Sequence, residues 1–122
     1  MKKILFIEDE STLQKALGDI LQQKNYKVIS ALDGEIGLRL AKSEKPDLIL
    51  LDLILPKMHG FDVLRQLKDN SETKEIPIIV LTNLEKMDEI NQAIELGATT
   101  YLIKTEYKIG EVIEKIKKTL RE

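Results

Sequence analysis

Apolar residues along this chain follow two alternating rhythms. Residues 4–7, 28–30, 48–51, 78–81 and 101–103 form short, nearly unbroken runs of strand length. Runs without polar alternation predict strands covered on both faces, as in a parallel sheet. Between them, apolar positions recur every three or four residues. Leu13, Ala16, Leu17, Ile20 and Leu21 share one helical face, with Ser11 as the expected N-cap. Ile36, Leu38, Leu40 and Ala41 predict a second helix introduced by Asp33-Gly34. Phe61, Leu64 and Leu67 predict a third. Ile90, Ala93 and Ile94 predict a fourth, which Gly97 would end just past its C-cap. Ile109, Val112, Ile113, Ile116 and Leu120 predict a fifth. Residues 69–75 are polar, have no apolar period, and are expected to form a flexible loop.

Strict alternation of strand and helix implies an α/β fold, with a parallel sheet covered by helices on both faces. Right-handed crossovers leave few arrangements. The commonest is a flavodoxin-like doubly wound five-stranded sheet of order 2-1-3-4-5, whose ligands bind where the order switches between the first and third strands. The 122 residues fit one domain, with no internal repeat and no linker. The net charge of −2 gives no bulk attraction for nucleic acid or an anionic membrane. Lys115, Lys117, Lys118 and Arg121 suit the C-terminal end of a helix better than a nucleic-acid patch. The chain lacks cysteine, which excludes disulfides and thiolate metal sites. The first apolar run is too short for an export signal, and no run approaches membrane-spanning length, so a cytoplasmic protein is expected.

Composition leaves the chemistry to the strand ends. The most apolar run closes on Asp52, and the first closes on Glu8-Asp9. In the expected topology these three carboxylates converge at the switch point. Like charges that close raise one another's pKa, and a divalent cation relieves the conflict. Oxygen-only ligands favour Mg²⁺, or Mn²⁺ in its place. Lys104 follows the fifth strand and Thr82 ends the fourth, adding a cation and a hydroxyl to the same rim. A carboxylate nucleophile, a metal clamp, a cation and a hydroxyl are the parts phosphoryl transfer requires. Taken singly, each residue has a plainer reading. Asp52 and Asp9 could form turns or helix caps, Thr82 could cap the next helix, and Lys104 could be a solvated strand end. Tyr101 could be a half-buried edge-strand aromatic. His59, the only histidine, is expected to face solvent in the turn after the third strand, without a partner that would mark it as a base or ligand.

The stretches ILFIEDE at 4–10, PDLILLDLILP at 46–56 with Gly60, IPIIVLT at 76–82, Gly97-Ala98 and YLIK at 101–104 occur in one order. In that order the chain resembles the receiver domain of two-component response regulators. The resemblance implies a single receiver domain over residues 1–122, with no output domain in this chain. It implies that Asp52 accepts a phosphoryl group from a histidine kinase or phosphotransfer protein. Glu8, Asp9, Asp52 and the backbone carbonyl of Ile54 would hold Mg²⁺ or Mn²⁺, and Lys104 and Thr82 would bind phosphoryl oxygens. Thr82 and Tyr101 would form a switch pair that relays the change to the fourth helix, fifth strand and fifth helix. A signalling switch rather than a turnover enzyme is implied, limited to self-phosphorylation and slow autodephosphorylation at Asp52. The output partner is not implied, and a weak or phosphorylation-dependent homodimer is allowed.

Several positions depart from the family pattern. The acidic pair is Glu8-Asp9 rather than two aspartates. Thr105 follows Lys104 where the family has proline in a cis bond, which puts the aim of Lys104 at issue. Asn83 replaces a small residue, and Ile54 and Leu84 put apolar groups beside the site. Three competing classes can be weighed. An aspartyl-phosphate hydrolase would need a second acid where Ile54 stands. A flavodoxin-type nucleotide or flavin binder would need a glycine- or hydroxyl-rich loop where Glu8-Asp9-Glu10 stands. A receiver-like interaction scaffold independent of phosphorylation fits Asn83 and Thr105, but not Asp52, Thr82 and Lys104 together.

Overall fold

The computed structural model describes residues 1–55, 58–83, 87–104 and 108–122. Five strands, β1 (Lys3–Ile7), β2 (Lys27–Ala31), β3 (Leu48–Leu51), β4 (Ile78–Thr82) and β5 (Thr100–Ile103), alternate with five helices. The helices are α1 (Ser11–Gln23), α2 (Gly34–Glu44), α3 (Gly60–Asp69), α4 (Met87–Glu95) and α5 (Ile109–Leu120). The strands pair in parallel in the order β2-β1-β3-β4-β5, as the pattern predicts. No helix among the described residues is long and apolar enough to cross a membrane.

The unbroken apolar runs follow from burial on both faces. Successive strand side chains point to opposite sides. Leu5, Ile7, Ile49, Leu51, Ile78 and Val80 therefore join one core with Ala41, Val63, Leu64, Leu67 and Ala93 of α2, α3 and α4. Ile4, Phe6, Leu48, Leu50, Ile79 and Leu81 join the other, with Leu17 and Leu21 of α1 and Val112, Ile113 and Ile116 of α5. Each fully buried aliphatic chain contributes roughly 1.5–3 kcal/mol of transfer free energy. A slip by one residue would exchange the two sets of side chains, so with both faces apolar the register rests on how each set packs against its helices.

Helix boundaries hold two corrections. Ser11 is the first residue of α1 rather than its N-cap. Glu10 takes the cap position in extended conformation, without a side-chain capping bond, and its carbonyl accepts from Gln14 N–H at 3.0 Å. Asp33 does cap α2, its side chain accepting from Ile36 N–H at 2.9 Å. Residues 69–75 are not a structureless loop. Asp69 closes α3, and the chain then forms successive turns on the Asn70 carbonyl. Buried Thr73 donates its hydroxyl to Leu67 O at 2.6 Å. His59 is exposed as expected, and its Nδ1 accepts from Phe61 N–H at 3.2 Å and caps α3. Gly97 ends α4 with φ 112°, and its own N–H and that of Ala98 return to Ile94 O and Ala93 O. That pair of bonds is the Schellman closure, which requires a left-handed residue.

Gly60 fixes the turn that follows β3. Its N–H donates to Leu53 O at 3.0 Å, and a Cβ there would lie 2.2 Å from Leu53 Cα. Backbone cannot yield as a side chain can, so Gly60→Ala is expected to destabilise the fold by about 3 kcal/mol. Gly110 in α5 has open space around it, so Gly110→Ala should stabilise by about 0.5 kcal/mol through helix propensity. Urea midpoints of the two variants test the contrast, and equal midpoints would contradict it.

Candidate functional site

Three backbone bonds carry the sheet ladder just past the strand ends. Glu8 N–H donates to Ala31 O at 2.9 Å, Asp52 N–H to Ile7 O at 3.0 Å, and Lys104 N–H to Thr82 O at 2.8 Å. Each residue thus leaves the sheet in a direction set by its strand. β1 and β3 are neighbours, so Glu8 and Asp52 emerge side by side. β5 lies one strand further out, and the length of a lysine side chain spans β4.

Lys104 Nζ donates to Asp52 Oδ2 at 2.9 Å and forms an ion pair with Glu8 Oε1. The second oxygen of each carboxylate meets a backbone amide. Asp52 Oδ1 accepts from Ile54 N–H at 3.1 Å, and Glu8 Oε2 accepts from Glu10 N–H at 3.1 Å. Glu8 is fully buried and Asp52 nearly so, while the Lys104 side chain keeps 10% of its surface exposed. Burial is the main influence on Glu8 and pushes its carboxyl up to about 7. The Asp52 charge pushes the same way, while Lys104 and the Glu10 N–H pull it back. Burial works against the Lys104 charge, but its bonds to Glu8 and Asp52 outweigh that and hold the ammonium above its usual range.

Asp9 is exposed beside this pair, and one carboxylate oxygen from each of Glu8, Asp9 and Asp52 lies within 4.8 Å of the others. They border a cleft of about 370 Å³ that is also lined by Glu10, Ile54, Asn83 and Lys104. Three carboxylates on an open cleft, with one of them short of positive charge, form a donor set that fits a hard divalent cation such as Mg²⁺ or Mn²⁺. Removing Lys104 instead would leave two buried carboxylates unpaired, a change that costs roughly 3–5 kcal/mol in buried ion pairs.

The other expected site residues differ in exposure. Thr82 ends β4 and is buried, and Asn83, the next residue, lines the cleft. Tyr101 on edge strand β5 is half-buried against the core shared by α2, α3 and α4. Ile54 stands 52% exposed at the cleft wall. The Lys104–Thr105 bond and Leu84 lie outside the described residues. The aim of Lys104 is nevertheless established by its contacts with Asp52 and Glu8. Sequence reasoning gives Glu10 no separate role, yet its N–H holds Glu8. Its place directly after the acidic pair was the available signal.

A family model described as "Response regulator receiver domain" matches residues 4–117. The chain belongs to the response regulator receiver domain family. This receiver domain is 39% identical over 120 residues to the alkaline phosphatase synthesis transcriptional regulatory protein PhoP of Bacillus subtilis, covering 98% of this chain and 49% of PhoP. The chain spans about half the length of curated relatives it matches. Among solved structures it is similar to the BeF3-activated N-terminal receiver domain of Klebsiella pneumoniae RstA, with a TM-score of 0.90, 28% identity and coverage of 98% and 99% of the two chains. It is also similar to the receiver domain of sensor histidine kinase PA1611 from Pseudomonas aeruginosa PAO1, solved with a magnesium ion coordinated in the active site cleft. There the TM-score is 0.89 at 26% identity, with coverage of 99% and 98%.

The raised Glu8 pKa fixes the sign of a pH effect in metal-free receiver domain. Between the ordinary carboxyl value of 4.5 and about 7, the folded protein keeps a proton that the unfolded chain has lost. Glu8 therefore stabilises the fold below pH 4.5, and that contribution is lost as pH rises towards 7, by on the order of 2 kcal/mol. In EDTA, urea-unfolding free energies of wild type and Glu8→Gln are expected to diverge across this window. Parallel profiles would contradict the assignment.

Proposed function

We propose that this receiver domain is a phosphoacceptor switch in which Asp52 takes a phosphoryl group from a phosphohistidine of a histidine kinase or phosphotransfer protein. The observation that carries this reading is the shared ammonium of Lys104, held between buried Glu8 and Asp52 at the mouth of an acidic cleft. A carboxylate buried against a cation at that sheet edge is a poor solvated turn former and a suitable nucleophile.

In the transfer step an Asp52 carboxylate oxygen attacks phosphorus. The new O–P bond forms as the N–P bond breaks, and the electron pair leaves on the imidazole nitrogen. When bound, a divalent ion held by Glu8, Asp9, Asp52 and the Ile54 carbonyl supplies positive charge for the phosphoryl oxygens. The Ile54 N–H orients Asp52 through Oδ1. Lys104 turns from the carboxylate to the transferred group, whose added charge competes for it, and so loosens its pairing with Glu8. Thr82 binds a phosphoryl oxygen through its hydroxyl, and Tyr101 on the adjacent strand turns inward in response. The α4–β5–α5 face carries this change to an output partner or to a second receiver domain, as a two-state element biased by local charge.

The exposed Ile54 side chain and Asn83 control what reaches the acyl phosphate. Ile54 hinders the attacking water and lengthens the phosphoryl lifetime, so autodephosphorylation is slow. Incubation with Mg²⁺ and acetyl phosphate, followed by intact mass, should show a gain of one phosphoryl group that Asp52→Asn abolishes. No gain by folded wild type would sink the proposal. Ile54→Asn should shorten the phosphoryl lifetime by about tenfold, within the range by which one polar group alters proton transfer or water positioning. An unchanged decay rate would clear Ile54 of that role.

A further inference from the structure

Gln14 lies on α1, outside the cleft, and neither the apolar period nor the proposed chemistry gives it a task. Its side chain is 6% exposed. Its Nε2 donates to Phe6 O at 2.7 Å, to Glu8 O at 3.2 Å and to Ala31 O at 3.2 Å. Its Oε1 is buried without a hydrogen-bond partner among the described residues. Three carbonyls converging on one nitrogen select a donor, and the unmatched oxygen of the same amide is the cost of supplying it.

Those three carbonyls bracket the end of β1. Phe6 and Glu8 flank its last residue, Ile7, and Ala31 closes β2 beside it. Ala31 O also accepts the N–H of Glu8, so one carbonyl links the amide of Gln14 to the backbone of Glu8. Glu8 is thus held at both its N–H and its C=O where the chain turns out of the sheet towards Asp9.

We infer that Gln14 is a positioning residue for the metal-binding end of β1, clamping the Phe6, Glu8 and Ala31 carbonyls so that Glu8 and Asp9 are aimed into the cleft. This inference rests on the reading of Glu8, Asp9 and Asp52 as a divalent-cation site. Gln14→Met keeps the length and burial of the side chain and removes the donor. Partners behind metal ligands commonly change affinity by about ten- to a hundredfold, so Gln14→Met should weaken Mg²⁺ binding by about tenfold.

The test is a Mg²⁺ titration of ¹⁵N-labelled wild type and Gln14→Met, following the amides of Glu8, Asp9, Glu10 and Asp52, with a thermal melt of each. The expected result is weaker Mg²⁺ binding by a variant that still melts cooperatively. A lower melting temperature with an unchanged Mg²⁺ dissociation constant would overturn the positioning role and leave the cation site standing. No saturable Mg²⁺ binding by wild type would remove the cation site and this inference with it. Should Gln14→Met not fold, the side-chain NH₂ signals of Gln14 in wild type decide. They should shift along the same saturation curve as the Glu8 amide, and signals that stay fixed would overturn the proposal.

Discussion

One ammonium group, Lys104 Nζ, sets the condition on which the site depends. The sheet delivers Glu8 and Asp52 to neighbouring positions and buries both, which neither would tolerate as an unpaired anion. Lys104 reaches across β4 to bond Asp52 and pair with Glu8. The pairing is incomplete, because one cation faces two carboxylates with a third, Asp9, within reach. Burial raises the Glu8 pKa and the Asp52 charge adds to it, while Lys104 and the Glu10 N–H only partly offset the rise. A site built this way is stable enough to fold and still short of positive charge, a balance suited to admitting a divalent cation and an anionic phosphoryl group.

The scaffold places that deficit with backbone rather than side chains. Ladder bonds run past the ends of β1, β3 and β5, so the first residue beyond each strand inherits the register of the whole sheet. The register is held by the close packing of two cores against the helices on either side. The turn after Asp52 is pinned in turn by Gly60, whose missing side chain lets α3 start against Leu53. Site geometry and fold stability are therefore coupled most closely at the sheet edge.

Much of this was legible in the sequence because both sheet faces are covered. Burial on both sides leaves unbroken apolar runs, which mark the strands to within a residue and make Asp52 and Glu8 conspicuous as charges closing them. The order 2-1-3-4-5 followed from strand–helix alternation and crossover handedness. Less legible were features set by contacts distant in sequence or by backbone geometry. The α1 cap fell on Glu10 rather than Ser11 because Glu10 is the residue held extended. The turns at 69–75 depend on a buried Thr73 hydroxyl that no period announces. Gln14 reads as a polar position on α1, and only the folded chain brings three carbonyls to its amide. Asn83 lines the cleft, while Thr82 at the end of β4 is buried to a degree that the strand pattern alone does not announce.

The central claim is that Asp52 is the acceptor and that Lys104 transfers its charge to the incoming group. A crystal structure with Mg²⁺ and beryllofluoride tests it most directly. The account predicts beryllofluoride on the Asp52 carboxylate, Mg²⁺ among Glu8, Asp9 and Asp52, and Lys104 Nζ bonded to fluoride with its pairing to Glu8 loosened. Beryllofluoride on another carboxylate, or Lys104 unmoved between Glu8 and Asp52 beside a modified Asp52, would contradict it.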